Sequence, residues 1–231
     1  MNNKLLSAWN QSYDRNENHL FYPSEEVIKF VSRNIVKRKH IDTKKSSRNN
    51  NKIVCVACGI GRHVKFCYEM GLDSFGCDLS ENAVKKAKSF LTHYYSDYDD
   101  SKIICSSVEN LPWNDSYFNY AISDSALDSM PTDIAKKGIL EIYRILKPNG
   151  LFYCSLISPL GSDLDINFDG EITIDTDFEK GTIQSFFNYE KIKKLLEPQF
   201  KIISCELSTK ILPNGAYNGE SRWHIISKKT N

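Results

Sequence analysis

The sequence predicts an α/β domain built on a doubly wound, mainly parallel sheet. Three observations carry this: short apolar strands alternate with amphipathic helical segments from Lys52 onward, Gly59 and Gly61 form a turn directly after the first strand, and Asp78 ends the second. The 231 residues fit one large domain, and 41% hydrophobic with 26% charged residues is an ordinary globular composition. With 30 basic against 29 acidic side chains the formal charge is +1, which gives no general attraction to nucleic acid or membrane surfaces.

The N-terminal MNNKLLSAWNQSYDR lacks the apolar core of a signal peptide. No run approaches the roughly 20 apolar residues that cross a bilayer, so a cytoplasmic location is expected. After Pro23, Ser24 reads as an N-cap, Glu25 and Glu26 as an acidic first turn, and Lys37 and Arg38 as a basic end; Val27, Ile28, Val31 and Ile35 give that helix one apolar face. The polar, basic stretch KHIDTKKSSRNNN has no periodicity and reads as an exposed loop. Residues 1–51 are therefore expected to form a cap helix and basic loop, and residues 52–231 the main domain.

Within that domain the strands KIVCVA, SFGC, KIIC, FNYAIS and LFYCSLIS are separated by helices starting near Arg62, Ser80 and Thr132, the last closed by Asn149-Gly150. The rhythm breaks at residues 159–181, where Asp163, Asp165, Asp169, Glu171, Asp175 and Asp177 stand among short β-prone stretches, as in an inserted segment on the substrate side. A helix at NYEKIKKLL and the strands FKIISCEL and SRWHIIS complete the order. Most of the seven cysteines sit in apolar runs and read as small buried hydrophobes, so no disulfide is expected. Cys55 and Cys58 form one C-x-x-C, but a single pair cannot complete a tetrahedral zinc site, and no metal is expected.

Glycine at positions 59 and 61 lets the backbone turn sharply and approach a ligand, while the helix that follows offers free N–H groups. Asp78 lies at the spacing of a carboxylate that accepts both hydroxyl protons of an adenosine ribose, or it favours the helix start at Ser80 through its charge. A dinucleotide or S-adenosylmethionine satisfies such a turn. Val64 stands where a dinucleotide fingerprint wants a third glycine, which disfavours NAD.

With VCVACGIGRH, GCDLS, SSVENLPWNDSYFNYAISDSAL and EIYRILKPNGLFYCS in this order over residues 52–157, the chain resembles the class I S-adenosylmethionine-dependent methyltransferases of the small-molecule type. The resemblance implies a Rossmann-like, doubly wound, mostly parallel seven-stranded sheet with an antiparallel last strand, and S-adenosyl-L-methionine as cofactor. It implies Ala57, Cys58, Gly59 and Gly61 around the methionine end, Asp78 on the ribose, Leu79 beside the adenine, and Ser107, Val108 and Glu109 along the adenine edge. Asp124 would lie near the cofactor's amino group, and Tyr13 in a segment that folds over it. Three positions depart from the family pattern: Cys55 replaces an acidic residue, Ala57 a glycine, and Ser107 an aspartate.

A methyl group on a sulfonium is already activated, so such an enzyme aligns the nucleophile, excludes water and removes a proton where needed. Asp128, in SALDSMP, is the first candidate for that base and for contact with substrate, against the alternative of an exposed loop carboxylate. His63 is the second, against a residue of the helix surface. Arg222, next to Trp223 and His224 on the last strand, and Tyr22, before the first helix, are candidates for substrate contact or for packing; Phe186 and Phe187 share that ambiguity. The expected reaction is methylation of oxygen or nitrogen on a small molecule such as a sugar, a nucleotide-linked sugar or another metabolite, because the acidic insertion would repel a polyanion. The alternatives are an RNA or other nucleic-acid methyltransferase, supported by the basic loop, and a cofactor-binding module without catalysis. The sequence leaves the acceptor and the oligomeric state open.

Overall fold

The computed structural model describes residues 3–36, 49–217 and 219–230. At its centre is β1 (Asn49–Val56), whose side chains alternate between two apolar layers. Ile53 and Cys55 enter one layer, beneath α2 (Glu25–Phe30), α3 (Arg62–Glu69) and α4 (Glu81–Tyr94). Val54 and Val56 enter the other, beneath α5 (Thr132–Ile145) and α6 (Tyr189–Leu196). Both faces of the sheet are thus covered by helices, which is why the strand sequences are apolar almost throughout.

The remaining strands of this sheet are β2 (Leu72–Asp78), β3 (Ile103–Cys105), β4 (Phe118–Ser123), β5 (Leu146–Ser158), β8 (Phe200–Ser208) and β9 (Ser221–Lys229). They lie in the order β3-β2-β1-β4-β5-β9-β8, and β9 alone runs opposite to the other six. The strand order reverses between β1 and β4, so the loops after their carboxyl ends diverge and open a crevice. Among the described residues no helix is long and apolar enough to cross a membrane.

Several boundaries differ from the sequence reading. β1 begins at Asn49 rather than Lys52, and most of the expected basic loop, residues 37–48, lies outside the described residues. Ahead of α2 runs a helix that composition did not announce, α1 (Asn3–Asp14), strapped to the start of α4: Ser80 Oγ donates to Asn10 Oδ1 at 2.6 Å, Asn82 Nδ2 to Asp14 Oδ1 at 2.9 Å, and Lys86 Nζ to the Tyr13 carbonyl. Leu5 enters one core layer, and Val27, Phe30 and Val31 enter the other.

α2 is also shorter than expected. Its last turn widens into a π-helical turn, Val31–Ile35, and Phe30, stacked on Tyr153 at 5.5 Å, takes the buried place anticipated for Ile28, which is 39% exposed. Ser24 holds the N-cap position, but its hydroxyl donates to Asp124 Oδ2 at 3.0 Å instead of accepting from the helix. The segment after β5 folds into a hairpin of β6 (Glu171–Thr173) and β7 (Ile183–Ser185), so it extends past residue 181. Lys191 fastens it, donating to the carbonyls of Asp169 at 2.6 Å and Phe186 at 2.9 Å with its ammonium over the Phe187 ring. Phe186 and Phe187 are packing residues, both buried.

Candidate active site

The turn after β1 takes a left-handed conformation three times, at Ala57 (φ 54°), Gly59 (φ 54°) and Gly61 (φ 85°). For Ala57 this costs on the order of 1 kcal/mol that glycine would not incur. The turn is held from both ends. Cys58 N–H donates to the Cys77 carbonyl at 2.8 Å, and Gly59 N–H donates to Asp78 Oδ2, also at 2.8 Å. Gly61, at the N-cap of α3, packs on α4, where an added Cβ would meet that of Ala87 at 3.2 Å. The space a third glycine provides elsewhere is supplied here from the strand: Gly76 of β2 makes room for Val64 of α3, whose methyl lies 2.9 Å from where a Cβ on Gly76 would stand.

Asp78 is the centre of this arrangement. Its Oδ1 accepts the Ser80 N–H at 2.9 Å while its Oδ2 accepts from Gly59, which leaves each oxygen a further lone pair. Burial pushes its pKa above the ordinary carboxylate value, and the N–H groups of Ser80, Gly59 and Leu79 act against that shift. Above Gly59 stands the Tyr13 hydroxyl, 2.8 Å from where a Cβ would be. Burial, followed by the nearby Asp78 charge, keeps that phenol protonated well beyond its usual range.

Asp78 and Tyr13 border a cavity of about 360 Å³ at the carboxyl ends of the strands. Its lining includes Ala57, Leu79, Ser107, Val108 and Glu109 after the strand ends, Leu5 and Trp9 of α1, and Ser125, Ser129, Met130, Phe178, Glu179, Gln184, Glu220 and Arg222. Ser107 Oγ accepts the Glu109 N–H at 3.2 Å and keeps its own proton to donate; Glu109 pairs with Lys137 at 2.8 Å. Two hydrogen bonds tie the segment after α1 to Glu179 of the cavity lining. Asn18 Nδ2 donates to Glu179 Oε1 at 2.8 Å, and Glu179 N–H donates to Glu17 Oε2 at 3.0 Å.

Other expected site residues do not border the cavity. Cys58 is buried against the α3–α4 layer, and Gly59 and Gly61 shape the turn from behind. Asp124, expected near a ligand amino group, is instead the hub of a buried polar cluster: its carboxylate accepts from Ser155 Oγ at 2.7 Å and Ser24 Oγ at 3.0 Å, pairs with Arg62 at 3.3 Å, and lies 3.6 Å from His63 Nε2. Burial alone would raise its pKa, but His63, Ser155, Arg62 and Ser24 together lower it.

Both candidate bases lie outside the cavity lining as well. His63 is buried, its Nε2 accepts the Ser24 N–H at 3.2 Å, and desolvation holds its pKa down at about 4, so the ring is neutral and props the start of α2. Asp128 is fully buried rather than exposed on a loop. Its Oδ2 accepts the Ile157 N–H at 2.7 Å and pairs with Arg222 at 2.9 Å. Arg222 does reach the cavity. Tyr22 does not close it: the residue is 84% exposed and contributes a carbonyl to Arg62, whereas Leu20 lines the wall. Leu5, Trp9, Leu20 and Glu179 went unremarked in the sequence, although Leu5, Trp9 and Tyr13 recur at helical spacing on one face of α1.

Residues 54–154 match the methyltransferase domain family. An uncharacterised Haemophilus influenzae protein is 30% identical over 115 residues, which is 49% of this chain; the chain spans 45% of that relative's length. Among solved structures, a S-adenosylmethionine-dependent methyltransferase of Methanosarcina mazei matches with a TM-score of 0.63 and 18% identity over 80% of this chain and 95% of its own. The 1,6-didemethyltoxoflavin-N1-methyltransferase of Burkholderia thailandensis, solved with 1,6-didemethyltoxoflavin and S-adenosylhomocysteine, matches with a TM-score of 0.70 and 14% identity over 99% of this chain and 88% of its own. Magnesium protoporphyrin IX methyltransferase of Synechocystis matches at 0.59 and 15% identity over 97% and 81%. Residues 54–154 are thus similar to methyltransferase domains, and the sheet around them has the fold of the S-adenosylmethionine-dependent methyltransferase of Methanosarcina mazei.

Proposed function

We propose that the protein transfers a methyl group from S-adenosylmethionine to an oxygen or nitrogen of a small-molecule acceptor, with both bound in the single cavity. The observation that carries this is Asp78: a buried carboxylate, fixed by two backbone N–H groups, with acceptor capacity left at the cavity wall. The residues present fit the cofactor. Asp78 would take the ribose hydroxyls, Leu79 and Val108 the faces of the adenine, and Ser107 and Glu109 its edge, while Gly59 without a Cβ leaves the Tyr13 hydroxyl in place at the methionine end. When bound, the cofactor supplies a methyl group already activated by its sulfonium.

The chain's own residues then have three tasks. Leu5, Trp9 and Tyr13 cover the cavity and exclude water. Arg222, Gln184 and Ser129 orient the acceptor. Glu179 is the carboxylate assigned to proton removal: it borders the acceptor half, is held by Asn18, and has its pKa raised, first by burial and then by the charges of Glu17, Glu220 and Asp128. His63 and Asp128 support the site from behind. The small-molecule acceptor is favoured by the size of the cavity and by the 1,6-didemethyltoxoflavin and magnesium protoporphyrin IX methyltransferases among the structural neighbours.

Calorimetry with S-adenosylhomocysteine tests the cofactor half, and labelled S-adenosylmethionine with a fractionated metabolite extract tests the acceptor half. Binding and label in a small-molecule fraction are expected. Label confined to RNA, or binding without transfer to any fraction, would replace this reading.

A further inference from the structure

The acceptor half of the cavity is lined by one cation, Arg222, and that charge is already balanced. Arg222 Nη1 donates to Asp128 Oδ2 at 2.9 Å, while its Nε stands 3.7 Å from Glu220 Oε2, too far for a hydrogen bond. Arg222 lines the cavity, with its side chain 21% exposed. Asp128 is fixed from three directions: Ile157 N–H on its carboxylate, and Ser185 N–H at 2.7 Å and Gln184 Nε2 at 2.9 Å on its main-chain carbonyl. Its other oxygen, Oδ1, is buried without a hydrogen-bond partner. A buried carboxylate held this way is costly unless its charge is needed where it stands.

Asp128, Glu179 and Glu220 set against Arg222 leave this half net acidic. A lone guanidinium would bind carboxylate or phosphate in a bidentate pair. Beside a buried carboxylate and two glutamates, a second anion meets like charges at short range in a medium of low dielectric, while a neutral oxygen still gains the hydrogen bond.

We infer that Asp128 is a positioning residue that presents Arg222 as a charge-compensated hydrogen-bond donor, so that the pocket takes an uncharged polar group, a hydroxyl or carbonyl oxygen, and rejects acceptors bearing phosphate near the methylated atom. This rests on the reading of that half as the acceptor pocket, and it removes nucleotide-linked sugars from the acceptor classes open at the sequence level.

The test is a gain of function, with pyrophosphate as the probe, titrated by calorimetry into the full-length protein with and without S-adenosylhomocysteine. Wild-type protein is expected to bind it at least about tenfold more weakly than Asp128→Asn, since removing one close charge is worth about that much. The gain is expected to vanish when Arg222→Gln is added. Equal affinity in wild type and Asp128→Asn, or a gain that survives Arg222→Gln, overturns the inference. Should Asp128→Asn not fold, Glu179→Gln combined with Glu220→Gln leaves the buried pair untouched and is expected to raise pyrophosphate affinity; no rise overturns the inference equally. Failure to bind S-adenosylhomocysteine counts against the methyl-transfer reading instead, since the pyrophosphate comparison needs no cofactor.

Discussion

Acid should loosen this protein through His63. The ring is 5% exposed, its Nε2 accepts the Ser24 N–H, and its pKa is held at about 4 against an ordinary value near 6.5. Between those two values the unfolded chain takes up a proton that the folded chain refuses. The stability contributed by the neutral ring is therefore fully present above about pH 6.5 and is lost as pH falls through about 4. The gap between the two values corresponds to roughly 3 kcal/mol, a large share of the ~5–15 kcal/mol that holds a typical domain together. Urea denaturation at constant ionic strength from pH 7.5 to pH 4.5, on wild type and His63→Gln, measures it. The variant starts less stable by about 1–3 kcal/mol, because Ser24 N–H loses its partner, but it declines less steeply on acidification. Parallel pH profiles for the two proteins would refute the assignment of a neutral, load-carrying histidine.

Asp78→Asn is expected to weaken S-adenosylhomocysteine binding by about 10- to 100-fold in calorimetry, the worth of a charge-assisted hydrogen bond, and to cost about 1–3 kcal/mol of stability, because an amide NH2 cannot accept the buried N–H of Gly59 or Ser80; an affinity within twofold of wild type would remove Asp78 from the ribose. Ala57→Gly relieves a left-handed alanine and is expected to stabilise the fold by up to about 1 kcal/mol in denaturant titration, whereas a loss of that size would show that the Ala57 methyl is doing the packing. Gly59→Val places a β-branched side chain at φ 54° against the Tyr13 hydroxyl, and both cofactor binding and roughly 2 kcal/mol of stability are expected to go. Once an acceptor is in hand, kcat in wild type is expected to fall as pH drops through the raised pKa of Glu179, and Glu179→Gln is expected to lower kcat about 100-fold and abolish that limb while leaving the KM for cofactor unchanged.

The fold was readable because its signals are local and periodic. Ile53, Val54, Cys55 and Val56 announce a strand buried on both faces, and each turn after a strand carries its own glycine or cap. Part of the cavity lining was readable for the same reason: Ala57, Asp78, Leu79, Ser107, Val108 and Glu109 follow strand ends whose positions the alternation fixes. The acceptor half depends on contacts between distant segments. Asp128 looks like a loop carboxylate until Arg222, 94 positions away, is seen beside it. Asp124 looks free until Ser24, Arg62 and Ser155 converge on it. Glu179 follows an acidic run of exposed residues, and its bonds to Asn18 and Glu17, which bring it to the cavity, come from segments far away in the sequence.

On the proposed reading, that bond between Asn18 and Glu179 joins the segment over the cofactor to a residue facing the acceptor. One strap would then sense both ligands, and by thermodynamic reciprocity whatever either ligand did to the other's affinity would be returned in equal measure. Exchange of the used cofactor would disturb the same contacts that hold Glu179, and turnover would be a matter of opening and reclosing a shared cover as well as of methyl transfer.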